Sequence, residues 1–327
     1  EVLRAFKQAH PDSLPLSFVM NGGNEDVGVL LSAFGYGDNA DHYVVTNDKK
    51  VVYTLADEGI IPGLEWLHTL YTEGLIDPEV FTQDYNTYVS KAASDRYGLF
   101  MAWDNTSAGT PDNYVALPPL KNADGEQAVT RQNAMGFEIG RCVITGTNPN
   151  PALTAKWIDQ LYDPIQSVQD NWGTYGDTTQ DNIFEMKDDG TLQHLPVPAG
   201  VVSYELRMKT NLGGPLAVLD SYYGQYTTMP DDAKLRLDVI QSEFAPAMES
   251  DYDYPPIFFD IDTTDRITQI ETDLKPYAES QKATWIMNGG AESEWDAYIA
   301  KLNEMNLQEL LQLKQTGLDN YFASMNG

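Results

Sequence analysis

The chain of 327 residues carries 49 acidic and 20 basic side chains, a net charge of −29. That excess disfavours nucleic acid and anionic membrane surfaces as partners and suits neutral or cationic ligands. At 42% apolar residues the chain can build globular cores and its length points to two domains, while no run of about 18 apolar residues is available to span a membrane.

Glu1 to about Ala9 predicts a helix that ends before Pro11. The chain opens in mid-pattern (Val2, Leu3 and Phe6 apolar), with neither an initiator methionine nor a signal peptide, so removal of an upstream piece is expected. Leu14 to Met20 reads as a strand, followed by the polar loop Asn21-Gly22-Gly23-Asn24-Glu25-Asp26. Val27 to Phe34 reads as helical, and Ala56 to Tyr71 has Ile60, Leu64, Leu67 and Leu70 at helical spacing with Gly74 suited to the cap. Asp84 to Ala93 predicts another helix. Next comes the apolar strand Tyr97-Gly98-Leu99-Phe100-Met101-Ala102, which delivers Trp103 and Asp104 to its carboxyl end. Tyr114-Val115-Ala116-Leu117-Pro118-Pro119 reads as a further strand stopped by two prolines. Strands alternating with helices indicate α/β architecture.

Gly136 to Ile144 alternates like a strand, in which the lone Cys142 is expected to be a small buried hydrophobe. Asn150 and Pro151 suit the start of a helix with Trp157, Ile158 and Leu161 on one face. Residues 171–198 read as loop with a hairpin around Asp188-Asp189-Gly190-Thr191, and Met229-Pro230-Asp231-Asp232 starts a helix to about Phe244. Beyond an aromatic loop at Tyr252 to Phe259 the remainder is helical. Trp295, Tyr298, Ile299 and Leu302 mark one face there; Leu310, Leu311, Leu318 and Phe322 mark the next.

Three segments mix aromatics with polar groups: Trp103-Asp104, Asn171-Trp172-Gly173-Thr174-Tyr175, and Asp251-Tyr252-Asp253-Tyr254 before two prolines. An indole packs on the apolar face of a sugar ring while a neighbouring carboxylate accepts its hydroxyls. Together the segments are those of an aromatic-lined cleft; singly, each also fits a core aromatic beside a turn. Paired carboxylates such as Asp251/Asp253 and Asp260/Asp262 could serve a glycosidase. In so acidic a chain they also arise by chance. The four histidines have no metal-ligand spacing, and neither a nucleophile elbow nor a phosphate-binding glycine loop is present.

The order of these segments resembles the C-terminal two-thirds of extracellular solute-binding proteins in the cluster that contains maltose-binding protein. The large oligosaccharide-binding lipoproteins of Gram-positive ABC importers are the most similar group. The resemblance is carried by Gly98-Leu99-Phe100-Met101-Ala102-Trp103-Asp104, which is similar to the family's strand of Gly, Met and Trp, and by the Leu-Pro ending at Leu117-Pro118. Asn148-Pro149-Asn150-Pro151 through Lys156-Trp157-Ile158, and Glu294-Trp295-Asp296-Ala297-Tyr298, complete it. It implies a type II, periplasmic-binding-protein-like two-lobed α/β fold with its first lobe incomplete. Residues 1–131 and 230–327 would form the second lobe, and 132–229 the return into the first. It further implies binding without catalysis, and delivery of a carbohydrate of oligosaccharide size to a membrane permease. The protein would act as a monomer outside the cell, as a lipoprotein anchored through a segment absent from this chain, or in the periplasm. Trp103, Asp104, Asn24, Glu25 and Tyr254 are the expected ligand contacts, with Trp172 and Tyr175 from the other lobe. Alginate-type relatives carry a calcium loop after the opening helix; here Gln8 to Pro15 lacks its ligand series, so neither a metal nor a cofactor is expected. A glycoside hydrolase acting on a neutral polysaccharide is the alternative, and an adhesion module without a small ligand is a third reading.

Overall fold

The computed structural model describes residues 1–22, 25–103, 105–122, 124–125, 127–129, 142–198, 201, 203–211, 213–250 and 252–325. The chain forms two compact units, Glu1–Gly136 with Val239–Gly327, and Phe137–Asp238.

The first unit opens with α1 (Val2–Ala9) and β1 (Leu14–Ser17). Val27–Phe34 is helical but wound as a 3-10 helix, capped at its start by Asp26 and ended by Gly35 in the left-handed conformation. The antiparallel pair β2 (Tyr43–Val45) and β3 (Val51–Tyr53) follows. Helix α2 (Ile61–Thr72) begins later than its apolar spacing predicts. Two 3-10 turns, Thr54–Ala56 and Glu58–Ile60, fill the interval, and Pro62 sits in the first turn, where its missing N–H costs nothing. Gly74 closes α2 at φ 67°, donating to the carbonyl of Tyr71 at 2.9 Å. Then come α3 (Tyr85–Ala92), capped by Asp84, and β4 (Tyr97–Phe100). β4 pairs in parallel with β1, Leu16 opposite Leu99. The strand expected at Tyr114–Pro119 does not form: Val115 is 90% exposed and the segment has no ladder partner. A strand needs a neighbour, and two consecutive prolines remove the donors a neighbour would use.

The second unit contains α4 (Pro151–Leu161), α5 (Pro164–Trp172), the antiparallel pair β5 (Phe184–Met186) and β6 (Leu192–His194), α6 (Ser203–Thr210) and α7 (Asp231–Val239). The expected hairpin is present, turned by Gly190 at φ 85° with Asp189 accepting from the N–H of Thr191 at 2.9 Å. Val168, Phe184 and Leu192 form its small core. The face expected to bury α4 does not: Trp157 is 62% exposed. Asn150 makes no side-chain cap to α4, whereas Asp163 caps α5 through the N–H groups of Ile165 and Gln166. Of the strand expected at 136–144, residues 136–141 lie outside the described residues; Cys142 is exposed, against the expectation of burial.

A π-helical turn at Ile240–Phe244 continues α7, and the chain then supplies the first unit with α8 (Ile261–Asn288), α9 (Ala291–Glu304) and α10 (Leu307–Met325). α8 packs along α2. The predicted faces are the buried ones: Trp295, Tyr298 and Leu302 of α9, and Leu310 and Leu318 of α10, join Leu64, Leu67 and Trp285 in one core. Trp285 donates its indole N–H to Glu294 at 2.8 Å, and Tyr298 donates to the carbonyl of Leu55 at 2.9 Å, so the polar tips of these two side chains are satisfied.

Candidate functional site

The parallel strands β1 and β4 end side by side, and their continuations form the walls of a small hollow lined by Glu25, Tyr85, Tyr88, Phe100, Trp103 and Ser107. Ligands of open α/β sheets bind beyond the carboxyl ends of strands, and this hollow is at that place. Trp103 is 45% exposed there and Tyr85 42%, so part of each side chain reaches solvent. Trp103 is therefore not the core tryptophan that its strand setting also allowed.

Each wall is held from beneath. The hydroxyl of Tyr88, from α3, donates to the carbonyl of Met101 at 2.6 Å and accepts from the N–H of Met101 at 2.9 Å. It thereby fixes the backbone two residues before Trp103. Tyr97 donates to the carbonyl of Tyr88 at 3.2 Å, tying α3 to β4. The turn Asn105–Ser107 is fastened by Asn105 donating to the carbonyl of Pro111 at 3.1 Å, and by Gly109 donating to the carbonyl of Ala92 at 3.2 Å.

The loop that bears Glu25 is anchored by Asp26. One Asp26 oxygen accepts from the N–H of Asn21 at 2.7 Å and the other from the N–H of Gly28 at 3.0 Å. Both lie 3.1 Å from the ammonium of Lys282, which α8 brings from 256 residues away. Val19 also donates to the carbonyl of Glu25 at 3.0 Å, which folds the loop back on the end of β1. Glu25 itself is half-buried, and desolvation raises its carboxyl above the usual range. A second buried network lies beside this loop: Asp38 accepts from Thr54 and holds His42, whose Nδ1 is 3.0 Å from its Oδ1. Burial of Asp38 opposes its charge, but His42, Lys282 and Thr54 together hold its carboxyl below the ordinary value.

Of the residues expected at a ligand, the structure thus brings Trp103 and Glu25 together; Asn24 and Asp104 lie outside the described residues. Tyr254 is not brought to this hollow. Its hydroxyl donates to the carbonyl of Lys314 at 3.0 Å and its ring lies 6.2 Å from that of Tyr43. The proline-stiffened loop around it lies against α10, with the Phe259 ring filling the space over Gly317. Trp172 and Tyr175 belong to the second unit. Trp172 is half-buried under the guanidinium of Arg207, 4.6 Å from its ring centre, and edge-on to His194; Tyr175 is exposed. Asp260, one of the paired carboxylates, caps α8 through the N–H of Thr263 at 2.9 Å. No group of three or more metal-ligating side chains occurs among the described residues. Sequence reasoning missed Tyr85, Tyr88 and Ser107. Tyr85 and Tyr88 show only as aromatics one turn apart on α3, the single signal that could have pointed to them.

The fold is that of type II solute-binding proteins, as the likeness to solved structures shows. The substrate-binding protein FusA of Streptococcus pneumoniae in complex with kestose is 44% identical, with a TM-score of 0.93 over 99% of this chain and 67% of that one. An HMO-binding solute-binding protein from Bifidobacterium longum infantis (20% identical, TM-score 0.72, 98% of this chain and 68% of that one) and the alginate-binding protein AlgQ2 (20%, 0.71, 97% and 66%) share the fold. The curated sequence of the fructooligosaccharide ABC transporter substrate-binding protein FusA of Streptococcus pneumoniae is 45% identical over 334 aligned residues. That alignment takes in all of this chain and spans 62% of that protein's length. No protein-family model matches the sequence. The chain belongs to the family of ABC-transporter substrate-binding proteins.

Proposed function

We propose that this chain is part of the substrate-binding component of an ABC importer and captures fructooligosaccharides for a membrane permease. It would work as a monomer outside the cell or in the periplasm, as a lipoprotein in the first case. The observation that carries the reading is the likeness to the kestose complex: 44% identity and a TM-score of 0.93 over 99% of the chain. The hollow fits such a ligand chemically. Trp103 and Tyr85 bring partly exposed aromatic side chains that suit the apolar side of a sugar ring, and Glu25 and Ser107 offer oxygens to its hydroxyls. Asn24 and Asp104 are the sequence neighbours of these groups and complete the proposed contact set. Tyr175, exposed, and Trp172, half-buried, are the proposed contacts that the second unit contributes. Isothermal titration of the full-length protein with kestose, nystose and maltotriose tests the reading. Kestose and nystose should bind and maltotriose should not; binding of maltotriose without kestose would overturn it.

A further inference from the structure

We propose that Glu25 is a charge-selecting residue: it makes the hollow take neutral saccharides and turn away saccharides that carry a carboxylate. The inference rests on the hollow being the saccharide site. Glu25 reaches it half-buried, in a lining shared with Trp103 and Tyr85. Among the described residues no ion pair reaches its carboxylate, only its own backbone N–H bonds to it, and the described lining contains no lysine, arginine or histidine. The cation of α3, Lys91, is committed elsewhere, 2.9 Å from Asp77 and 2.6 Å from Glu79. A neutral sugar can give this carboxylate hydroxyl donors in charge-assisted bonds. A uronate brings a second negative charge against it, with no cation in the described lining to offset the repulsion, and like charges at close quarters are how binding sites exclude wrong ligands. Half burial strengthens the effect, since the charges are screened less than on an open surface.

The test compares kestose with its C6-carboxylate derivative, each titrated calorimetrically into the full-length protein and its Glu25→Gln variant at pH 7.5. The wild type should prefer kestose by at least about tenfold, and the preference should shrink as salt is raised. Glu25→Gln should lower the ratio of the two affinities at least about threefold, whatever it does to kestose itself. A wild-type ratio near one, a ratio unmoved by salt, or a ratio unchanged in Glu25→Gln would overturn the inference while leaving saccharide binding in place. Binding of neither saccharide would overturn the proposed function, and this inference with it. If Glu25→Gln does not fold, the wild-type ratio and its salt dependence still decide.

Discussion

Lys282→Met tests how the loop bearing Glu25 is held. The Lys282 and Asp26 side chains are 4% and 8% exposed, and Nζ lies 3.1 Å from the carboxylate. At that distance and an effective dielectric constant of about 20, two unit charges attract by about 5 kcal/mol. Methionine keeps most of the apolar stem, so the change falls on the charge. It leaves the Asp26 carboxylate buried with the N–H groups of Asn21 and Gly28 as its remaining donors. Removing one member of a buried pair costs about 3–5 kcal/mol, and two surviving backbone donors place this case near 3. Asp26→Asn combined with Lys282→Met should recover part of the loss, because the uncompensated charge is gone while the amide oxygen still accepts from one of the two N–H groups. Urea unfolding followed by tryptophan fluorescence reads both variants, with the buried Trp285 three residues along α8 from the substitution. A loss below about 1 kcal/mol for Lys282→Met, or a double variant no more stable than the single one, would refute the reasoning.

Trp103→Ala should weaken kestose binding roughly three- to tenfold, the worth of one aromatic stack, while the melting temperature stays close to wild type; a lost fold with unchanged affinity would contradict the placement of Trp103 in the hollow. Gly109→Ala should destabilise by about 1–3 kcal/mol, because a Cβ there would lie 2.3 Å from the carbonyl oxygen of Ala93; thermal melts checked against wild type decide it. Burial lowers the imidazole pKa of His194 to about 4. The unfolded chain titrates near 6.5, so between about 6.5 and 4 it binds more protons than the folded one. Stability present above that window is lost as pH falls through it, up to about 2 kcal/mol by pH 5. His194→Gln should flatten that dependence. Hydrogen exchange in β5 and β6 at pH 7.5 and 5, corrected for intrinsic rates, would refute this by showing equal loss in both proteins.

What the sequence determined by itself is whatever depends on local period and local caps. The apolar spacing of α9 and α10 places Trp295, Tyr298, Leu302, Leu310 and Leu318 on buried faces, because a helix repeats its inward side every 3.6 residues. Gly74 and Gly190 mark turns because they are the residues that take positive φ without strain. The position of Trp103 just past an apolar strand is likewise legible, and the structure leaves it partly exposed at that strand's carboxyl end. Tertiary structure decided everything that needs a partner. Tyr114 to Pro119 has the composition of a strand and no neighbour to pair with, and α4 has an apolar face that the described chain leaves exposed. Tyr254 shares its loop's aromatic, acidic pattern with a ligand site, yet the carbonyl of Lys314 takes its hydroxyl. The support of the hollow is the clearest case. Tyr88 grips Met101 across a helix and a strand, and Lys282 reaches Asp26 from 256 residues away. No spacing rule encodes such pairs, because they exist only once packing brings distant segments within hydrogen-bond reach and removes the water that would otherwise compete.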